Sequence, residues 1–258
     1  MIGQKKLKNK IDSYTLRTFP HSILLTGERG SEQEDICHYI SEKFNLPLYD
    51  ITEIVSEEYI NEIYSMQDFG LYIIDSDRFS DVSAERKQNI LLKFFEEPSP
   101  YMYIIFICSN KYNLLETIQT RSYELAMNLY TRKELLPLCS NDVELELKLA
   151  STPGTIEELN HVDLEKLKTL CENIVSRIGS SNYQNALTIS NKINFKDEYD
   201  KFPLWAFLRM LGIVMLEKRS NLYWLLEKFN KKYSLLTWKK DYLDNLITDM
   251  WLEARNGH

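Results

Sequence analysis

The chain has 258 residues, 44% of them hydrophobic and 27% charged, with a net charge of -7. That balance suits a globular protein of one large domain or two to three smaller ones, and the negative charge excludes a surface that attracts nucleic acid everywhere, leaving a local basic patch as the exception. No run reaches the roughly 20 apolar residues of a membrane span, no apolar segment follows Lys5 and Lys6 as a signal peptide requires, and Cys37, Cys108, Cys139 and Cys171 lack paired zinc-ligand spacing; the expectation is buried free thiols, no metal, no membrane contact and a cytoplasmic location.

Ile2-Gly3-Gln4 precedes a Lys-rich amphipathic helix expected to run to about Arg17. Lys5, Lys6, Lys8 and Lys10 form a basic cluster that reads first as a solvated face. Ser22–Thr26 is an apolar run suited to a buried strand. Gly27 and Gly30 punctuate a tight loop, and from Ser31 the spacing turns helical, with Ile36, Tyr39, Ile40 and Phe44 on one face. Strand, glycine-bearing loop and helix is the layout of a phosphate-binding loop, whose working pattern is G-x-x-x-x-G-K-[ST]. Counted from Gly27, Glu32 stands at the second glycine, Gln33 at the lysine and Glu34 at the Ser/Thr. With Asp35, these acids put carboxylates in a first turn whose free N–H groups would otherwise attract an anion. They read either as ordinary first-turn acids or as a lost nucleotide site. In both cases tight ATP binding is not expected, and no cofactor is expected.

Residues 46–51 suit a second strand and 53–66 a helix. Residues 70–77 read as a buried parallel strand with Asp75 and Asp77 at its C-terminal edge, where ligands gather in open α/β sheets. Such an acid holds magnesium in an ATPase; it also starts turns. Residues 81–95 form the next helix, stopped by Pro98 and Pro100. A strongly apolar strand follows at 101–108 and ends in Ser109-Asn110; 114–119 is a helical turn, and Thr120-Arg121-Ser122 leads into a last strand at 123–127. This alternation predicts a parallel sheet with helices on both faces. Beyond Leu129 every signal is helical, over 131–139, 142–150, a brief 156–159 after the break at Thr152-Pro153-Gly154, then Leu164–Ile178, 182–193, 202–217, 222–229 and 238–254.

Asn89-Ile90-Leu91-Leu92-Lys93-Phe94-Phe95-Glu96-Glu97-Pro98 is similar to the N-A-L-L-K-x-L-E-E-P stretch of the clamp-loader branch of the AAA+ family. Leu115 to Ser122 resembles that family's L-x-T-I-x-S-R-C, Ile2-Gly3-Gln4 its opening I-G-Q, and His21 to Leu25 its H-A-x-L-F. Within the branch the chain looks most like the delta-prime subunits of bacterial DNA polymerase III. The resemblance implies an AAA+ P-loop-type α/β core over 1–128, a small helical lid over 129–162 and an all-α collar over 163–258. Trp205, Phe207, Tyr223, Trp224, Trp238, Tyr242 and Trp251 would pack that collar.

The departures carry information too. The family's D-x-A-D shortens to Asp75-Ser76-Asp77, its cysteine cluster is absent, and Thr155 follows Thr152-Pro153-Gly154 where the family keeps a nucleotide-sensing arginine. Arg121 stands where the family keeps its arginine finger, which reaches a neighbouring subunit's ATP; read from the residues alone, it is a surface arginine pairing with Glu124 or another nearby acid. The resemblance therefore implies a non-hydrolysing subunit of a DNA-replication clamp loader. It would join ATPase subunits in a hetero-oligomeric ring and lend Arg121 in trans. The sliding clamp and primer–template DNA are further partners that the resemblance implies. The alternatives are an active AAA+ ATPase with an atypical loop, using Asp75, Asp77 and Asn110, or a delta-like clamp-opening subunit.

Overall fold

The run Ser22–Thr26 is β1, and its four leading residues are buried. It lies between two other parallel strands. In the computed structural model, residues 2–66, 69–79, 81–96, 99–178, 202–218, 223–224, 226 and 239–256 are described. Contacts divide the chain into two compact units, Met1–Pro137 with Thr152–Thr155, and Leu138–Ser151 with Ile156–His258.

The first unit begins with α1 (Lys5–Asp12), followed by β1 and α2 (Gln33–Phe44). Next come β2 (Leu48–Asp50), α3 (Glu57–Met66) and β3 (Gly70–Asp75). They are followed by α4 (Asp81–Glu96), β4 (Met102–Cys108), α5 (Glu116–Arg121), β5 (Tyr123–Ala126) and the short α6 (Arg132–Leu135). The five strands are all parallel, in the order β2-β3-β4-β1-β5. Because successive side chains on a strand point to opposite faces, the apolar runs feed two cores. Leu24, Tyr72, Ile74, Ile104 and Phe106 pack with Ile60 and Ile63 of α3, Leu91, Phe94 and Phe95 of α4 and Ile118 of α5. On the other face Ile23, Leu25, Leu71, Ile73, Ile105 and Ile107 pack with Leu7 and Ile11 of α1 and Ile36, Cys37 and Ile40 of α2. Continuous apolar strands are what a sheet covered on both faces requires.

Several boundaries differ from the sequence reading. The first helix ends at Asp12, not near Arg17, because Ser13 caps it and the Thr15 and Thr18 hydroxyls close a separate turn. The third strand ends at Asp75, where Ser76–Arg78 winds into a 3₁₀ turn capped by the Asp75 carboxylate. Pro153 does not break the chain; it opens α8 (Pro153–Asn160), where its fixed φ and missing N–H are at home in a first turn.

The second unit holds α7 (Val143–Leu149), the later turns of α8, α9 (Leu164–Ile178), α10 (Leu204–Lys218) and α11 (Lys239–Asn256). Leu164, Leu167, Cys171, Ile174, Val175 and Ile178 are buried at helical spacing on α9, and Phe207, Met210, Leu211, Val214 and Met215 on α10. Glu146 is fully buried and accepts the backbone N–H groups of Ser140 (3.2 Å) and Asn141 (3.0 Å). Of the aromatics expected to pack here, Phe207 is buried, while Tyr223 and Trp224 are exposed. The Trp205 indole donates to Glu158 at 2.7 Å. The helix expected at 182–193, most of that at 222–229, and Trp238 lie outside the described residues. Among the described residues no helix is long and apolar enough to cross a membrane.

Candidate functional site

With β1 between β4 and β5, the loop leaving β1 sits at the C-terminal edge of the sheet, where the strand order reverses. Its root is fixed on both sides. Gly27 N–H donates to Cys108 O of β4 at 3.2 Å, and Met127 N–H donates to Thr26 O at 2.7 Å. Gln33, at the position of the phosphate-binding lysine, turns its side-chain amide inward and donates to Gly27 O (3.3 Å) and Cys108 O (3.5 Å). Met127 covers Gly27 so closely that a Cβ there would lie 2.6 Å from Met127 Cγ.

The far side of the loop meets the first turn of α8. Gly30 has φ +75, and a Cβ on it would fall 2.9 Å from Thr152 Oγ1, 3.0 Å from Thr155 N and 3.1 Å from Gly154 Cα. Gly154 N–H donates to Gly30 O at 3.0 Å, and Thr152 Oγ1 donates to Arg29 O at 2.7 Å. Thr155, at the sensing arginine's position, is buried and donates its hydroxyl to Thr152 O at 2.8 Å. Two glycine backbones and a pair of threonines thus occupy the gap between loop and turn.

Glu32, Asp75 and Asp77 each accept a backbone N–H. Glu32 is the left-handed residue before α2, at φ 58, and its carboxylate accepts Ile2 N–H at 3.0 Å instead of capping the helix. Glu34 is exposed on the first turn. Asp75 accepts the Asp77 N–H (3.0 Å) while its own N–H donates to Thr52 Oγ1 (2.9 Å). Asp77 accepts the Ser109 N–H at 2.8 Å, and Asn110 caps the next turn through Tyr112 N–H at 3.1 Å. Burial holds the Asp75 carboxyl above the usual carboxylate range; the Asp77 N–H opposes this, and the charges of Asp77 and Glu34 add to it. Burial likewise pushes the Cys108 thiol up to about 12. Among the described residues, no group of three or more His, Cys, Asp and Glu could hold a metal ion.

Two contributors had no role assigned to them in the sequence reading. Gln4 is buried and brackets Asn128, donating to its carbonyl at 3.0 Å and accepting its N–H at 2.8 Å. Tyr130 donates its hydroxyl to Ser31 O at 2.7 Å, tying the loop to the segment after β5. The Ile2-Gly3-Gln4 motif marked the first; nothing local marked the second.

Arg121 lies elsewhere. It ends α5, just before β5, so it sits at the N-terminal edge of the sheet while the loop sits at the C-terminal edge. The β1/β5 pairing runs from Ile23↔Tyr123 to Thr26↔Ala126, a span of about 10 Å between the two edges. Its acidic neighbour is Glu96 at 3.6 Å, not Glu124, whose carboxylate takes Lys111 (2.8 Å) and Thr26 Oγ1 (3.2 Å). An exposed pair at that distance restrains the side chain weakly. Arg121 remains 41% exposed, on a helix anchored by buried Ile118 and by Gln88 of α4, which accepts Leu115 N–H at 2.7 Å.

A parallel five-stranded sheet flanked by helices, with a glycine-bearing loop after β1 and acids closing β3 one strand beyond β4, is a P-loop-type α/β fold like that of AAA+ proteins. Residues 50–130 match the family described as DNA polymerase III, delta subunit. The RuvB Holliday junction branch migration motor of Thermotoga maritima is 17% identical over 98% of this chain and 88% of that chain, with a TM-score of 0.52, a likeness of fold alone. A DNA polymerase III gamma subunit-related protein from the same organism is 18% identical over 97% of this chain and 99% of that chain, with a TM-score of 0.49. No curated protein matches the sequence. Residues 50–130 are thus similar to a DNA polymerase III family, and the fold of the chain is similar to that of AAA+ proteins.

Proposed function

We propose that this chain is a delta-prime-like, non-hydrolysing subunit of a DNA polymerase III clamp loader. It assembles with ATPase subunits, leaves its own loop without nucleotide and lends Arg121 to the ATP of a neighbour. The observation that carries this reading is the contact between Gly30 and Gly154, where backbone meets backbone in the gap between loop and turn. A triphosphate needs free N–H groups, a cation and a hydroxyl in that gap. Here Gly154 N–H bonds to the loop, Gln33 is turned inward and Glu34 adds a negative charge. Arg121 supports the second half of the proposal. It is exposed, weakly held and on the far edge from its own loop, so the phosphate it serves is another subunit's. A guanidinium delivered in this way neutralises charge on the transferring γ-phosphoryl group.

The test is reconstitution with clamp-loader ATPase subunits, comparing native chain with Arg121→Ala. The expected result is a loss of stimulated ATP turnover of about 10³-fold, the lower end seen for such arginines, with the complex intact by size exclusion. Undiminished turnover in an intact complex refutes the role of Arg121.

A further inference from the structure

The helix α10 carries two apolar faces. Phe207, Met210, Leu211, Val214 and Met215 are buried on one side of it. Trp205, Leu208, Gly212 and Leu216 follow at spacings of three and four residues and fall on the opposite side. A helix that is apolar all round calls for cover on both sides. The second side is covered in part only: Trp205, Leu208 and Ile213 are half-buried, and Leu216 is 52% exposed. It lines a pocket of about 550 Å³ within the second unit, the size of a site that takes a bulky side chain and its neighbours. Tyr223 and Leu226 close in beside Gly212, which has no side chain to hold them off: a Cβ there would lie 3.3 Å from Tyr223 Cε2 and 3.4 Å from Leu226 Cδ1.

The charge in this pocket has one sign. Among the described residues that line it, Lys148 and Arg209 are charged and none is acidic. Lys148 pairs with Glu144 of its own helix at 2.9 Å, an exposed pair that water and salt loosen. Arg209 has no acidic partner among the described residues. Its guanidinium donates to Leu149 O at the end of α7 and, at 3.4 Å from each terminal nitrogen, to Ser151 Oγ; it lies 5.6 Å from the centre of the Trp205 ring. Glu158 accepts the Trp205 indole N–H and is not part of the lining. An arginine fixed by a carbonyl, a hydroxyl and an aromatic ring, yet unmatched by a carboxylate, keeps oriented donors for one that arrives.

We infer that this pocket docks an acidic segment of a partner protein. One bulky apolar side chain of that segment sits on the stripe of Leu208, Gly212 and Leu216, and a flanking carboxylate meets Arg209. Charge complementarity selects the occupant: a cationic lining on a chain of net charge -7 marks this spot for an acidic segment. The apolar stripe supplies affinity and the arginine supplies orientation. The site uses neither the loop nor Arg121, so its test stands apart from the proposed function.

The test is fluorescence anisotropy of the full chain with labelled short peptides of Asp and Glu around one central Leu, Phe or Trp. Two control sets keep the anchor among lysines, or keep the acids around a central serine. Two variants are compared, Arg209→Gln and Leu216→Glu; the second adds a like charge at an exposed position and leaves the buried face of α10 intact. Circular dichroism checks both folds. The expected result is saturable binding of at least one acidic anchored peptide by the native chain. Loss of the anchor should weaken it about tenfold or more, and so should each variant, through a lost charge-assisted hydrogen bond or an added repulsion. The inference is overturned if no acidic anchored peptide binds saturably, if the lysine or serine set binds as well, or if folded Leu216→Glu binds like the native chain. Self-association of the native chain that Leu216→Glu abolishes also overturns it, because the stripe is then covered by a second copy.

Discussion

Replacing Gly154 with alanine decides whether the gap beside the loop is truly filled. Gly154 is the second residue of α8, and helix propensity alone makes Gly→Ala there stabilising by up to about 1 kcal/mol. The structure gives the opposite sign. The new methyl would lie 2.8 Å from Gly30 Cα and 3.1 Å from Gly30 O, about 0.7 Å inside a comfortable carbon–carbon contact, with backbone on both sides. Overpacking of this kind costs about 1–3 kcal/mol. The Gly154 N–H bond to Gly30 O, now 3.0 Å, would also lengthen, with about 0.5–1.5 kcal/mol at stake. The expected net loss is about 2 kcal/mol. With a urea slope of about 2 kcal/mol per molar, the midpoint falls by about 1 M. The four tryptophans, at 205, 224, 238 and 251, all fall in the second unit, so their fluorescence reports that unit and far-ultraviolet circular dichroism reports both. The early shift should therefore be seen by circular dichroism. A midpoint that stays put or rises refutes the filled gap and the proposal built on it.

Restoring the lost loop chemistry with Gln33→Lys and Glu34→Thr together should not create a nucleotide site, because Gly154 and Thr152 still occupy the gap; isothermal titration with ATP and magnesium should show no binding up to about 1 mM, and micromolar affinity would reopen the ATPase reading. Asp75→Asn should change how stability depends on pH. The native carboxyl is held above its unfolded value of 3.8, so in that window the folded chain binds more protons and stability falls as pH rises from about 4 through the raised value. Asparagine keeps an acceptor for the Asp77 N–H and cannot ionise. The variant should therefore gain on the native chain across that window in urea titrations from pH 4 to 7; a constant offset would count against the burial argument.

Continuous apolar runs made β1, β3 and β4 legible, since strands covered on both faces need no polar alternation and leave a plain signal. Leu164–Ile178 was legible from end to end because its buried residues keep strict helical spacing. The end of α1 was not: apolar residues continue at plausible intervals through Leu16, while two threonine hydroxyls quietly close a different turn. The strand order was not legible either, since it is decided by long-range pairing that no local window contains. At the site, the missing cation at Gln33 could be read by counting, but not what took the vacated space. Gly30 and Gly154 are 124 positions apart, and only folding brings two residues without side chains together. Arg121 was found through a motif, whereas its partner Glu96 was not, because the pairing joins the ends of α4 and α5.

The parallel sheet gives each copy of such a fold a head and a tail: the strand ends carrying the glycine loop face one way and the start of β5 with its guanidinium faces the other. Under the proposed function, a chain whose receiving end is sealed and whose giving end is intact can be the first link in a row of like units but never an interior one. Subunit number would then be set by a terminator, as a capped monomer limits a polymer, with no need for the ring to measure its own circumference.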